Sequence, residues 1–208
     1  MPNHRRIDYY FSLISPWSYL GHAALHDVAR ATDAAIDYRP VRIFDLFAAN
    51  GGLPLGQRAP ARQRYRLIEL QRWRAARGLP LNLTPRYYPL DIALADRVAI
   101  ALAERGEDPA GYVADAYRAL WAEDRDLADR DVLAALLAGR GHDTAALLAS
   151  ADGEAAEARY RRNTEAAIAA DLPGLPGYVV DGEPFWGQDR IEQLQAMLAD
   201  GRPPLRGG

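Results

Sequence analysis

Ile7-Asp8-Tyr9-Tyr10-Phe11-Ser12-Leu13-Ile14-Ser15-Pro16-Trp17-Ser18 opens the chain with aromatic and branched side chains and stops at a serine–proline step. Residues 7–13 have the composition of a strand. Ser15 as N-cap and Pro16 at the first helical position form a start signal: the hydroxyl accepts an orphan N–H, and proline has none to satisfy. A helix of about 15 residues is expected from there to near Ala31. Ile36 to Val41 reads as a second strand, so the opening is a β-α-β unit with a right-handed crossover.

Outward from this unit the pattern changes at Pro60 to helix after helix. Val113, Ala116, Tyr117, Leu120 and Trp121 recur at helical spacing, and Leu90, Leu94, Val98 and Leu102 make a second stripe. Asp129 and Asp143 are placed to cap two further helices, Gly139 and Gly141 to close the first of them, and an alanine-rich helix is expected over 154–170. Strand chemistry returns in Gly177-Tyr178-Val179-Val180-Asp181-Gly182-Glu183-Pro184-Phe185-Trp186. Asp181-Gly182 marks a tight hairpin, and Pro184 suits only an edge strand. A last helix from Gln188 carries Ile191, Leu194 and Leu198 on one face, with a loose tail after it. With the helical block set aside, the order is βαβ then ββα. The expected fold is α/β, thioredoxin-like, with a large all-helical inserted domain: 1–56 and 171–208 form the discontinuous thioredoxin-like domain and 57–170 the insertion.

Composition narrows the chemistry. The 208 residues are 49% hydrophobic and 25% charged, which is globular usage. There is no cysteine, so disulfide exchange, thiolate metal sites and a protein-borne sulfur nucleophile are excluded. The net charge of −3 argues against a protein built to grip nucleic acid or an anionic membrane. No apolar run reaches membrane-spanning length and the start lacks a signal peptide's apolar core, so a soluble cytoplasmic protein is expected.

In a thioredoxin-like layout the turn between the first strand and first helix is the reactive corner, because free N–H groups and the helix dipole favour negative charge there. Where redox relatives of this layout place Cys-x-x-Cys, this chain reads Ser15-Pro16-Trp17-Ser18. A hydroxyl without a base is no ready anion, but it can donate a hydrogen bond to another molecule's thiolate. That reading stands beside the simpler one in which Ser15 only caps a helix, at about 1 kcal/mol, Ser18 is a first-turn residue and Ser12 faces a neighbour or solvent.

The segment Tyr10-Phe11-Ser12-Leu13-Ile14-Ser15-Pro16-Trp17-Ser18-Tyr19-Leu20-Gly21, together with Phe185-Trp186-Gly187-Gln188-Asp189-Arg190, resembles the 2-hydroxychromene-2-carboxylate isomerases, relatives of the kappa-class glutathione transferases. Arg39-Pro40, Pro60-Ala61-Arg62, Tyr88-Pro89 and Ala119-Leu120-Trp121 support the likeness. The resemblance implies a glutathione-dependent cis-trans isomerase of a small aromatic carboxylate, in aromatic compound degradation, acting as a homodimer. It assigns Ser15 to holding the glutathione thiolate, makes Pro176 a cis-proline that turns the backbone of Leu175 toward the peptide part of glutathione, and gives Gln188 and Asp189 the γ-glutamyl end. Trp186 is expected to pack beneath that corner. Departures from relatives are Ser12 and Gly52, which stand where aspartate and asparagine are usual, and Asp91, where asparagine is usual.

For the substrate, the candidates are Trp17, Phe47 and Tyr88 as aromatic walls and Arg62 as the cation for a carboxylate. Between Arg58 and Arg77 lie seven arginines against one acid, Glu69, a local charge of +6; the total leaves −9 elsewhere, which would repel a polyanion. Most of these arginines read as a solvated helix face. The histidines, His4, His22, His26 and His142, show no metal-binding pattern. Two other functions fit the same residues: a kappa-like transferase that leaves glutathione on an electrophile, and a non-catalytic thioredoxin-like binding module.

Overall fold

Strand β1 (Arg6–Phe11) sends Ile7, Tyr9 and Phe11 into the interior, and the aromatic rings there meet face to face: Tyr9 stacks on Phe11 at 4.7 Å and on Tyr178 at 5.6 Å. The structure, a computed structural model, describes residues 5–207; His4, the first residues of the chain and Gly208 lie outside them. After β1 come α1 (Pro16–Thr32), β2 (Ala35–Pro40), α2 (Ile43–Asn50), a 3-10 turn at Leu55–Gln57 and α3 (Pro60–Arg77). Five more helices follow: α4 (Ala93–Glu104), α5 (Ala110–Trp121), α6 (Arg130–Ala138), α7 (Thr144–Asp152) and α8 (Glu154–Ala169). The chain closes with β3 (Gly177–Val180), β4 (Glu183–Trp186), a 3-10 turn at Gln188–Arg190 and α9 (Ile191–Asp200).

The sheet order is β2-β1-β3-β4, with β1 parallel to β2 and antiparallel to β3. This is the thioredoxin-like βαβ–ββα core, and its helical insertion lies between β2 and β3. The Asp181-Gly182 turn joins β3 to β4 with φ of 52° and 85°, the double left-handed conformation of a tight hairpin. Pro184 sits exposed on the edge strand β4, where its missing N–H costs no ladder bond. Asp129 and Asp143 cap α6 and α7, each accepting a first-turn N–H. One continuous core joins the sheet to α4, α5, α6 and α7. No helix among the described residues is long and apolar enough to cross a membrane.

Three local expectations need correction. Leu90 precedes α4, because the Asp91 side chain accepts the Ala93 N–H at 3.0 Å and starts the helix later. Helix α2 went unread: Arg42 gives it no side-chain cap, and it is held from outside, the Arg42 N–H donating to Thr164 Oγ1 at 3.1 Å and its guanidinium pairing with Glu157. The tail is anchored rather than loose. Arg202 donates two hydrogen bonds of 2.7 Å to Glu183, which also accepts the Leu205 N–H at 2.6 Å, and Arg202 holds the Glu183 carboxyl below the usual carboxylate range. Arg202→Ala should therefore free the tail, and amide exchange at Leu205 should accelerate at least about tenfold, as expected when an end opens locally; unchanged protection would show that the ion pair does not hold it.

Candidate active site

Ser15 caps α1 through its Oγ, which accepts the Ser18 N–H at 3.2 Å. The Ser15 N–H donates to Ser12 O at 3.0 Å, and Pro16 occupies the first turn. Oγ already accepts one N–H, and the hydroxyl proton has no acceptor among the described residues, so it remains available to donate. It stands at the N-terminus of a 17-residue helix, where the backbone dipole favours an anion. Ser18 is fully buried beside the core and does not line the site.

The loop that carries Ser15 is held from below. Asp96, buried on α4, accepts the Leu13 N–H at 2.9 Å, the Ser12 hydroxyl at 2.7 Å and the Tyr160 hydroxyl at 2.8 Å. The Trp121 indole N–H donates to Leu13 O at 3.0 Å. Burial drives the Asp96 carboxyl up to about 7, and its three hydrogen bonds oppose this only in part. Ser12 thus faces a neighbour, Asp96, and not solvent. Asp96 escaped the sequence reading because α4 is buried nearly all round, so an apolar stripe does not reveal which positions face the core.

Around Ser15 opens a cleft of about 1110 Å³, at the upper end of ligand sites and roomy enough for two small molecules. Ser15, Trp17, Phe47, Arg62, Tyr88, Leu175, Gln188 and Asp189 all line it. Pro176 does not; it follows a cis peptide bond, and its carbonyl accepts the Gly187 N–H at 2.9 Å. Leu175 keeps a backbone N–H and C=O without a hydrogen-bond partner among the described residues, at the wall of the cleft. Gly187, at φ 105°, is in a conformation that other residues rarely adopt, and it delivers the chain into the turn at Gln188 and Asp189.

Two of these residues are already engaged. Arg77 donates to Gln188 Oε1 at 3.0 and 3.2 Å and to its carbonyl at 3.1 Å, leaving the Gln188 amide NH₂ as its free end. Arg190 pairs with Asp189 at 2.7 Å. Trp186 is not packed beneath the corner: strand alternation turns Phe185 inward and leaves Trp186 half exposed on the cleft wall. A Cβ at Gly52 would fall 2.4 Å from the Phe47 ring, so a glycine at this position is what lets Phe47 lie there. Asp91 lies outside the cleft and serves α4. Helix α3 contributes more than a solvated face, turning Arg62, Tyr65, Arg66, Glu69 and Trp73 toward the cleft.

A family model described as the DSBA-like thioredoxin domain matches residues 6–199. The chain belongs to that family. Within the DSBA-like proteins it is 33% identical over 198 residues to a 2-hydroxychromene-2-carboxylate isomerase of Sphingobium xenophagum, covering 94% of this chain and 99% of the relative. It is 25% identical over 224 residues to glutathione S-transferase kappa 2 of Caenorhabditis elegans, covering 100% and 96%. A solved 2-hydroxychromene-2-carboxylate isomerase superposes with a TM-score of 0.76 at 27% identity, over 94% of this chain and 95% of that one. This DSBA-like chain has no cysteine and carries hydroxyls, Ser15 and Ser18, at the start of α1.

The histidines of the described part serve the core and surface. His22 is buried among aromatic rings, and burial followed by the neighbouring His26 lowers it to about 3. His26 Nε2 bonds the Tyr38 hydroxyl at 2.8 Å, and His142 Nδ1 meets Glu107 at 2.6 Å. No group of three or more metal-ligating side chains is brought together among the described residues.

Proposed function

We propose that the chain is a glutathione-dependent cis-trans isomerase of conjugated aromatic carboxylates, such as 2-hydroxychromene-2-carboxylate and trans-o-hydroxybenzylidenepyruvate. One observation carries the reading: the unpaired Ser15 O–H at a helix N-terminus, facing a cleft in a chain without cysteine. Such a donor suits a visiting thiolate, since charge-assisted hydrogen bonding and the helix dipole both favour the anion. The free N–H and C=O of Leu175 suit a peptide strand laid beside them, and the Gln188 amide with the backbone N–H groups of Gln188 and Asp189 suit a carboxylate. These groups fit glutathione, which when bound supplies a nucleophile that adds to a conjugated double bond and leaves again unchanged.

The residues of the chain then have separable tasks. Ser15 donates to the sulfur and holds it ionised; Trp17, Phe47 and Tyr88 are aromatic walls of the cleft and exclude water; the arginines of α3 balance the substrate's negative charge. The family resemblance supports a homodimer and a cytoplasmic enzyme as part of the same reading. A thermal-shift titration with glutathione tests it directly, because a ligand of the native state raises the melting temperature. A saturable rise is expected at millimolar glutathione, and S-methylglutathione, whose capped sulfur cannot form a thiolate, should give a smaller one. No rise at any concentration would remove the thiol from the reaction.

A transferase outcome has its own support in the 25% identity to the kappa-class protein. Mass spectrometry of the product separates the two, since only a transferase yields a conjugate.

A further inference from the structure

Beside the cleft lies a second cavity of about 480 Å³, bounded by α3 and the Leu83–Tyr88 loop. Leu55, Arg66 and Tyr88 line both spaces and so form the partition between them. The Tyr88 ring meets the Trp121 indole at 5.6 Å, which gives the side cavity an aromatic floor. No acid lines it, and of its two arginines Arg64 is exposed while Arg66 is half-buried and has no carboxylate partner among the described residues; Tyr88 and Arg58 are the groups whose charge acts on Arg66. In the cleft itself both acids are taken, Glu69 by Arg72 and Asp189 by Arg190. Arg62 is exposed, so water screens it more than Arg66.

A partly desolvated guanidinium without a counter-ion is costly, and an incoming carboxylate relieves that cost with two parallel hydrogen bonds. We propose that Arg66, rather than Arg62, is the carboxylate anchor for an aromatic acid whose ring enters the side cavity against Tyr88 and Trp121, leaving the Ser15 arm of the cleft to the thiol. The assignment deepens the isomerase reading and rests on it for the second ligand. It makes Arg66 a specificity-determining residue and the side cavity the ring subsite.

Calorimetric titration with trans-cinnamate, its neutral amide and glutathione tests the assignment on the wild type, Arg66→Ala and Thr84→Trp. Thr84 is exposed at the side cavity, so the larger ring fills that space from the surface without disturbing the core. The wild type should bind cinnamate about 10- to 100-fold more tightly than the amide, and Arg66→Ala should lose that preference, the factor expected for a charge-assisted hydrogen bond. Thr84→Trp should weaken both aromatic ligands at least about fivefold while glutathione binding stays within twofold in both variants. The proposal is overturned if cinnamate does not bind, if the amide binds equally well, or if either variant leaves cinnamate affinity unchanged. Failure of glutathione to bind the wild type, with cinnamate binding as described, would instead overturn the isomerase reading and leave the aromatic-acid site standing.

Discussion

Ser15→Ala should lower turnover by about 10- to 1000-fold at saturating glutathione, the range for removing one donor aimed at a reacting anion. The variant should still fold, because the lost cap costs about 1 kcal/mol, and the loop keeps its hold on Asp96 and Trp121. A second readout isolates the hydroxyl's electrostatic role: the pKa of the bound glutathione thiol, followed by ultraviolet absorbance of the thiolate, should rise by about one unit, equivalent to about 1.4 kcal/mol of lost preference for the anion. Unchanged turnover together with an unchanged thiol pKa would reduce Ser15 to a helix cap.

The second large effect concerns Asp96, whose carboxyl burial drives from 3.8 to about 7. A carboxyl whose folded pKa lies above its unfolded value stabilises the fold fully below the unfolded value, and that contribution is lost as pH rises through the folded value. Between pH 5 and pH 8 the loss should reach about 2–3 kcal/mol, two pH units at roughly 1.4 kcal/mol each. Asp96→Asn removes the titration while keeping an acceptor for the Leu13 N–H, and its amide can donate to the Ser12 and Tyr160 hydroxyls. Denaturant unfolding at both pH values should therefore show the variant gaining on the wild type as pH rises. Parallel pH dependence in the two proteins would mean that Asp96 titrates as an ordinary surface acid does.

Much of the corner was legible because its signals are local. A strand of aromatic residues, a serine–proline start and an Asp-Gly hairpin each act over a few residues, and each appears where the pattern places it. What stayed hidden depends on residues far apart in the chain. Arg77 takes the Gln188 side chain across 111 positions, and Asp96 reaches Ser12 across 84. Helix α2 has eight residues and no cap of its own, so its stability comes from contact with α8, which no local window contains. The arginines of α3 are uniform in sequence; only the packing separates Arg66, at a partition, from Arg72, tied to Glu69 at the surface. Trp186 was the avoidable miss, since a two-residue period beside a buried Phe185 already turns it outward.

The backbone from Ser12 to Ser15 has its direction set by Asp96, Trp121 and the first turn of α1 before any ligand arrives. A visiting molecule therefore meets a stiff receptor at this end and has little ordering of the chain to finance. Differences in affinity among thiols should then track how well each sulfur reaches one fixed proton, so that a displacement of the sulfur by half an ångström would count for more than the bulk of the rest of the molecule.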